Sequence, residues 1–391
     1  MKIVIVIDLI DLKTNGSVMT AIRFADGLKV RGHEVRIVAI GADGENDCCV
    51  NERYVPVLSE VSAKNQIKFA KFDRKKITKA YEGADIVHFI FPFKFEIKCK
   101  KLADEMGIPT TAAFHVQPEN FSYNMHLGSS RFISNIIYTK FRNEFYKRFN
   151  RIHCPSKCIA NQLIRHGYKA EIYVISNGYD KAFVPPVTRV KNDKFNVVMV
   201  GRLAPEKNQK VLIKAVAMSR HKDDIRLTLL GNGPEKKNLE KSAKKLGVAV
   251  EFAFLPKDKL IERLQHSDLY VHAAKCETEA IACLEAVACG LVPVIADSRL
   301  SATPQFALDE RSLFENDNAQ SLAEKIDYWY ENDEERLKMG AIYAESAKQY
   351  SLENSILSAE RMFKDEINDF GSATRTASVP VGTTSPQKEA E

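Results

Sequence analysis

The sequence predicts an α/β protein of two doubly wound domains facing each other, and three observations carry that expectation. Apolar, β-branched runs without polar alternation recur in both halves, as strands buried on both faces require. Each run is followed by a stretch with helical spacing, so strand and helix alternate along most of the chain. The length, 391 residues, exceeds what one core of this kind usually fills, and 45% hydrophobic with 28% charged residues suits sizeable globular cores.

In the first half, residues 1–7 open as a buried strand. The loop over residues 8–17 contains Asn15-Gly16 and leads into a helix over about residues 18–31, and residues 32–39 supply a second strand. This loop lacks the Gly-x-Gly-x-x-Gly fingerprint, which argues against a nicotinamide cofactor. Residues 84–91 and 109–115 read as further strands, the latter ending in His115 beside a polar turn with Glu119 and Asn120. A histidine at a strand's carboxyl end is a candidate ligand contact, with a structural imidazole as the other reading. Glu119 and Asn120 either line a cleft or cap the next helix. Residues 152–156 and 174–180 close this half, and Asn177-Gly178 is a strong turn dipeptide. Phe183-Val-Pro-Pro186 and the polar run 188–194 read as a linker, which divides the chain into 1–185 and 186–350.

In the second half, the run beginning at Val197 stops at Gly201. Arg202 and Lys207 then fall in the loop at the strand's carboxyl end, where open parallel sheets place ligands. Two cations there suit a diphosphate and its departure as a leaving group, though an ordinary charged loop would look the same. Residues 227–235 form a strand ending in a turn with Gly231, and residues 250–256 another ending at Phe254 and Leu255. After the strand-like run 268–274 comes CETEAIACLEAVACG, with Glu277 and Glu285 eight positions apart. A helix beginning near Glu279 puts Glu277 at its mouth and Glu285 about one and a half turns inside. Its core face is then Ile281, Leu284, Val287 and Ala288. Free N–H groups near Ala280 and Ile281 would hold an anion, and the two acids separate polar parts of the same ligand. A solvated helix face would carry the same pair of acids.

Glu277, seven intervening residues, Glu285-Ala286 and Gly290-Leu-Val-Pro293 resemble the donor-binding motif of retaining glycosyltransferases of family four. Gly201-Arg202 with Lys207 resembles the family's G-R-x-x-x-x-K element, the Gly231 turn its GxGP turn, and Asn177-Gly178-Tyr-Asp180 its closing segment. The resemblance spans residues 1–365 and implies the GT-B fold: two Rossmann-like domains across a cleft, with a C-terminal helix (351–370) crossing back to the first. It implies transfer of a sugar, with retention, from a UDP- or GDP-linked donor to an acceptor hydroxyl on a membrane lipid or cell-envelope glycan precursor. Arg202, Lys207 and the amides near Ala280 and Ile281 would hold the diphosphate, Glu277 the transferred sugar and Glu285 the ribose. Gly16 would admit the donor phosphate closely, Gly201 and the Gly231 turn would line the donor near its nucleotide, Phe254 and Leu255 would pass the base, and His115 would face the sugar. Glu119 and Asn120 would lie on the acceptor side. The leaving diphosphate would serve as base for attack on the same face, and no residue cluster in the sequence requires a metal or cofactor. The chain departs from the family at Asn15 (usually a second Gly), at Leu255 (usually Gly) and at Glu279-Ala280 (usually Phe-Gly). Glu279 is expected to add negative charge beside the donor. A nucleotide-sugar epimerase of the same architecture and a silent nucleotide-binding scaffold are the alternatives.

The net charge of +6 is unevenly placed. Lys64, Lys68, Lys71, Arg74, Lys75, Lys76 and Lys79 form one basic cluster. Residues 131–151 form another, where Arg131, Lys140, Arg142, Lys147, Arg148 and Arg151 accompany apolar residues three and four apart. This reads as one basic amphipathic helix, either packed on the core or attached to an anionic membrane surface. No nucleic-acid recognition motif accompanies it. No run approaches the roughly 18 apolar residues of a spanning helix, and the N-terminus reads as a strand, not a signal peptide. The eight cysteines show no metal or disulfide-scaffold spacing, so reduced thiols and a cytoplasmic location, peripheral on the membrane, are expected. Cys276, Cys283 and Cys289 read as small packing groups. The Ser/Thr/Pro-rich tail, 371–391, is expected to be disordered.

Overall fold

The computed structural model describes residues 1–11, 16–54, 68–120, 131–189 and 192–377. Two parallel sheets organise the chain. The first runs β3-β2-β1-β4-β5-β6-β7, from β1 (Lys2–Leu9), β2 (Glu34–Ile40), β3 (Cys48–Cys49), β4 (Ile86–Phe89), β5 (Thr110–Ala113), β6 (Arg151–Cys154) and β7 (Glu171–Val174). The second runs β10-β9-β8-β11-β13-β15, from β8 (Phe195–Val200), β9 (Ile225–Leu230), β10 (Val250–Ala253), β11 (Leu269–His272), β13 (Val292–Asp297) and β15 (Leu313–Glu315). Two short strands, β12 (Cys276–Glu277) and β14 (Leu300–Ser301), pair separately.

β1 shows why its sequence lacks polar alternation. Ile3, Ile5 and Ile7 face one core, shared with Ala21, Phe24 and Leu28 of the helix Gly16–Val30. Val4 and Val6 face another, shared with Phe95 and Leu102 of the helix Lys94–Glu105. Both faces being covered, both must be apolar. In each sheet the strand order reverses once, at β1/β4 and at β8/β11, and a crevice opens there at the carboxyl ends.

The terminal helix Leu352–Ala377 packs Ile356, Ala359, Met362 and Phe363 into the first domain's core. Arg31 Nε donates to Glu360 (2.7 Å) and Arg151 Nη1 to the buried Glu366 (2.8 Å). The helix runs to Ala377, so residues 371–377 are helical and not disordered as expected. They contain no proline, and a docked helix propagates more easily than a new one nucleates. The rest of the tail lies outside the described residues.

The basic segment 131–151 is not one helix. Arg131–Glu144 is helical, a 3-10 turn follows at Tyr146–Arg148, and Arg151 already belongs to β6. Phe145, Tyr146 and Phe149 are core residues, whereas Phe132 (75% exposed) and Ile136 (52%) stand in solvent. Periodicity joined two segments whose apolar residues point to different places. In the other basic cluster, Lys64 lies outside the described residues, while Lys68 pairs with Asp11 (3.2 Å), Arg74 with Glu105 (2.7 Å), and Lys76 donates to the Cys49 carbonyl (3.2 Å). Among the described residues no helix is long and apolar enough to cross a membrane.

Candidate active site

The second sheet's switch point is built by the loops after β8 and β11. Gly201 N–H donates to the Leu230 carbonyl (2.9 Å), and a Cβ on Gly231 would lie 1.9 Å from Gly201 O. Only glycine lets these two loops approach so closely. The turn Pro205–Lys207 follows; Arg202 Nη2 donates to the buried Glu206 (2.9 Å), and the Lys275 N–H to Glu206 O (2.8 Å). The β8 loop is thereby fastened to the segment that enters β12.

Lys207 Nζ contacts Glu277 Oε1, and His272 Nε2 lies 3.2 Å from the same oxygen. Tyr270 OH lies 3.0 Å from His272 Nδ1, completing a Tyr270–His272–Glu277–Lys207 chain. Burial would raise the Glu277 carboxyl, but Lys207 and His272 outweigh it and hold it near 2. Glu277 is therefore a fixed anion at neutral pH.

The following helix is Ile281–Ala288, and it starts later than the expected position near Glu279. Ala280 causes the delay, because its φ of 75° is left-handed and the chain turns sharply there. Leu284, Val287 and Ala288 are buried as expected, while Ile281 is only half-buried at the turn. Cys276, Cys283 and Cys289 are free, buried thiols.

Glu285 Oε1 accepts from Arg23 Nη2 (3.2 Å) of the first domain, and Arg23 Nη1 reaches the Gly178 carbonyl (3.3 Å). Burial pushes the Glu285 carboxyl up, with Arg23 opposing. Glu279 does not project an open charge beside the donor site as expected. It is fully buried, and Oε2 accepts the Asn177 N–H (2.8 Å), burial pushing its carboxyl up to about 7. Ser156 Oγ donates to the Thr278 carbonyl (2.7 Å). The stretch between Glu277 and Ala280 thus rests directly on the first domain.

His115 sits just past β5, with its ring edge-on to His153 (centroids 5.1 Å apart) and Nε2 without a hydrogen-bond partner. Burial keeps this imidazole neutral, well below its usual range, with His153 and His88 adding to the effect. Glu119 is buried, and its Oε2 accepts from Tyr138 OH (3.2 Å). Asn120 is half-buried. Phe254 is 68% exposed with Leu255 half-buried behind it, and Gly16 opens its helix, Thr20 Oγ1 donating to its carbonyl (2.9 Å). Asn15 lies outside the described residues.

Sequence reasoning missed Arg23, Glu206, Tyr270 and His272. Arg23 is 262 positions from Glu285, and no local pattern joins them. His272 closes β11, and the strand-end rule applied to His115 would have found it.

The two facing doubly wound domains have the GT-B architecture. Residues 14–183 match Glycosyltransferase Family 4, residues 180–345 match Glycosyl transferases group 1, and the chain belongs to glycosyltransferase family four. Alpha-monoglucosyldiacylglycerol synthase of Acholeplasma laidlawii is 24% identical over 72% of this chain and 76% of its own length. The Anabaena HepE structure in complex with UDP and glucose is 18% identical, covers 93% of this chain and 100% of its own, and has a TM-score of 0.71. The catalytic domain of cholesterol-alpha-glucosyltransferase from Helicobacter pylori is 58% identical over 40% of this chain and 99% of its own, with a TM-score of 0.38.

Proposed function

We propose that the enzyme moves a hexose from a nucleoside diphosphate sugar to the hydroxyl of a lipid acceptor, with retention at the anomeric carbon. The observation that carries this reading is the Lys207–Glu277–His272 group beside the amide-bearing turn at Ala280 and Ile281. Arg202, Lys207 and those amides hold the diphosphate, Glu277 holds hydroxyls of the transferred sugar, and Glu285 accepts from the ribose diol. His115, a neutral imidazole with one nitrogen unpaired, suits hydrogen bonding to a sugar hydroxyl. The bond from the anomeric carbon to the diphosphate breaks, and the acceptor oxygen bonds from the same face. The departing diphosphate takes the acceptor's proton. Among the described residues no group of three or more His, Cys, Asp or Glu side chains is placed to hold a metal.

The diacylglycerol product named for the Acholeplasma relative supports a lipid acceptor. The helix Arg131–Glu144 supports attachment to an anionic bilayer, because Phe132 and Ile136 are exposed beside Arg131 and Lys140. Calorimetry with UDP, GDP and ADP identifies the base, and labelled-sugar transfer to vesicle lipids followed by NMR of the product reads the anomer. Glu277→Ala and Lys207→Ala should each lower transfer at least about a hundredfold. Near-normal turnover in either removes the site assignment, and donor conversion without any acceptor would favour an epimerase.

A further inference from the structure

Glu277 is held from behind by two buried residues of the central strand. Tyr270 and His272 stand two positions apart on β11, so both side chains leave the same face. β11 lies between β8 and β13, and the pair is sealed there, Tyr270 at 0% and His272 at 2% exposure. His272 Nε2 lies 3.2 Å from Glu277 Oε1, and Tyr270 OH 3.0 Å from His272 Nδ1. At neutral pH the Glu277 carboxylate can only accept, so the hydrogen between them belongs to Nε2. In the neutral ring Nδ1 is then an acceptor, and the phenol hydrogen fills it. The contacts run in one direction, from Tyr270 through His272 to Glu277.

Oε1 therefore serves both Lys207 and His272, whereas Oε2 takes no hydrogen bond among the described residues. The two partners differ in what else they must do. In the transfer reading above, Lys207 also holds the diphosphate, whose charge draws the ammonium away from the carboxylate. A carboxylate losing its only tether would rotate about its side-chain bonds and present either oxygen. His272 has no second task, since Glu277 and Tyr270 occupy both of its nitrogens. We propose that His272, oriented by Tyr270, is a positioning residue that keeps Glu277 Oε2 turned toward the transferred sugar while Lys207 serves the diphosphate. One fixed oxygen accepts from hydroxyls in one arrangement, so the pair sharpens the choice of sugar without touching it. This rests on the transfer reading and gives a part to two residues that contact neither phosphate nor sugar.

The test compares a nucleotide with its own sugar conjugate, because only the conjugate reaches Glu277. Calorimetry on the full chain measures Kd for UDP and UDP-glucose, and for GDP and GDP-mannose. For the pair that binds, His272→Leu should leave the nucleotide Kd within about twofold and raise the conjugate's about tenfold, the equivalent of one hydrogen bond to a charged group. His272→Gln offers an amide N–H in place of Nε2 and should bring the ratio back to within about threefold of wild type. Tyr270→Phe removes one oxygen while keeping the ring, and should move the ratio about threefold in the direction of His272→Leu. Nitrogen NMR at pH 8, with the His272 signals assigned by their loss in His272→Gln, should show hydrogen on Nε2 and none on Nδ1, with and without nucleotide. A histidine that only packs would shift the melting temperature of these variants and leave the ratio alone. Circular dichroism checks folding; if His272→Leu does not fold, Tyr270→Phe carries the comparison. An unchanged ratio, or hydrogen on Nδ1, overturns the proposal. Failure of both pairs to bind sinks the transfer reading itself, whereas nucleotide binding with an unmoved ratio sinks only the part given to His272.

Discussion

Glu279 stands where the sequence resemblance to the family breaks, and its environment sets the sign of a pH effect. Its carboxyl titrates near 7 in the folded protein and near 4.5 unfolded, because burial disfavours the charge. Between those values the folded state binds more protons, so this group's contribution to stability is full below about pH 4.5 and is lost as pH rises through 7. Glu279→Gln keeps an acceptor for the Asn177 N–H without the charge. Urea melts at pH 5 and pH 8 should show the variant gaining on the wild type at pH 8, by on the order of 2–3 kcal/mol. Equal pH profiles would mean the carboxyl is not the group that titrates. Glu277 has the opposite sign, its contribution being held above about pH 4.5 and lost as pH falls toward 2. The sequence made the neighbourhood of Lys207 and Glu277 legible, because both follow the buried strands β8 and β11 within a few residues. It could not show the orientation of Glu279, whose partner Asn177 is 102 positions away.

At the scale of elements, Ala280 and the terminal helix make contrasting demands. Ala280 at φ 75° bears a left-handed cost of about 1 kcal/mol, which glycine relieves while adding a similar unfolded-state entropy. Ala280→Gly should therefore change stability little, and Ala280→Val should lower it by about 2 kcal/mol, both read by thermal melting. The terminal helix depends on Arg151, which ties β6 to Glu366 at 2.8 Å and to Asp369 at 2.5 Å. Arg151→Ala leaves the Glu366 carboxylate buried with only the Asn150 amide (3.2 Å), and should cost about 3 kcal/mol. Strands were the most legible elements, since burial on both faces writes a continuous apolar run. The segment 131–151 was misread because helical spacing does not reveal which apolar residues reach a core. The end of the terminal helix was misread because composition overlooks the tertiary docking upstream.

For the molecule as a whole, several contacts joining the two domains lie beside the residues proposed to bind the donor. Ser156 reaches Thr278, Asn177 reaches Glu279, Arg23 reaches Glu285 and Gln117 Nε2 donates to the Leu300 carbonyl (2.9 Å). None of these was legible in sequence, because each links distant positions and depends on how the two sheets are placed. Their clustering couples donor binding to the relation between the domains. A ribose diol on Glu285 competes with Arg23 for the same carboxylate, so nucleotide and the Arg23 contact bias one element. Hydrogen exchange should therefore show nucleotide altering protection of the Asn177 and Gly178 amides, although both belong to the first domain. Arg23→Ala should shrink that response, because the loop carrying Gly178 loses its tie to Glu285. Protection at these amides that ignores nucleotide would make the junction a static hinge and confine the donor's influence to the second domain.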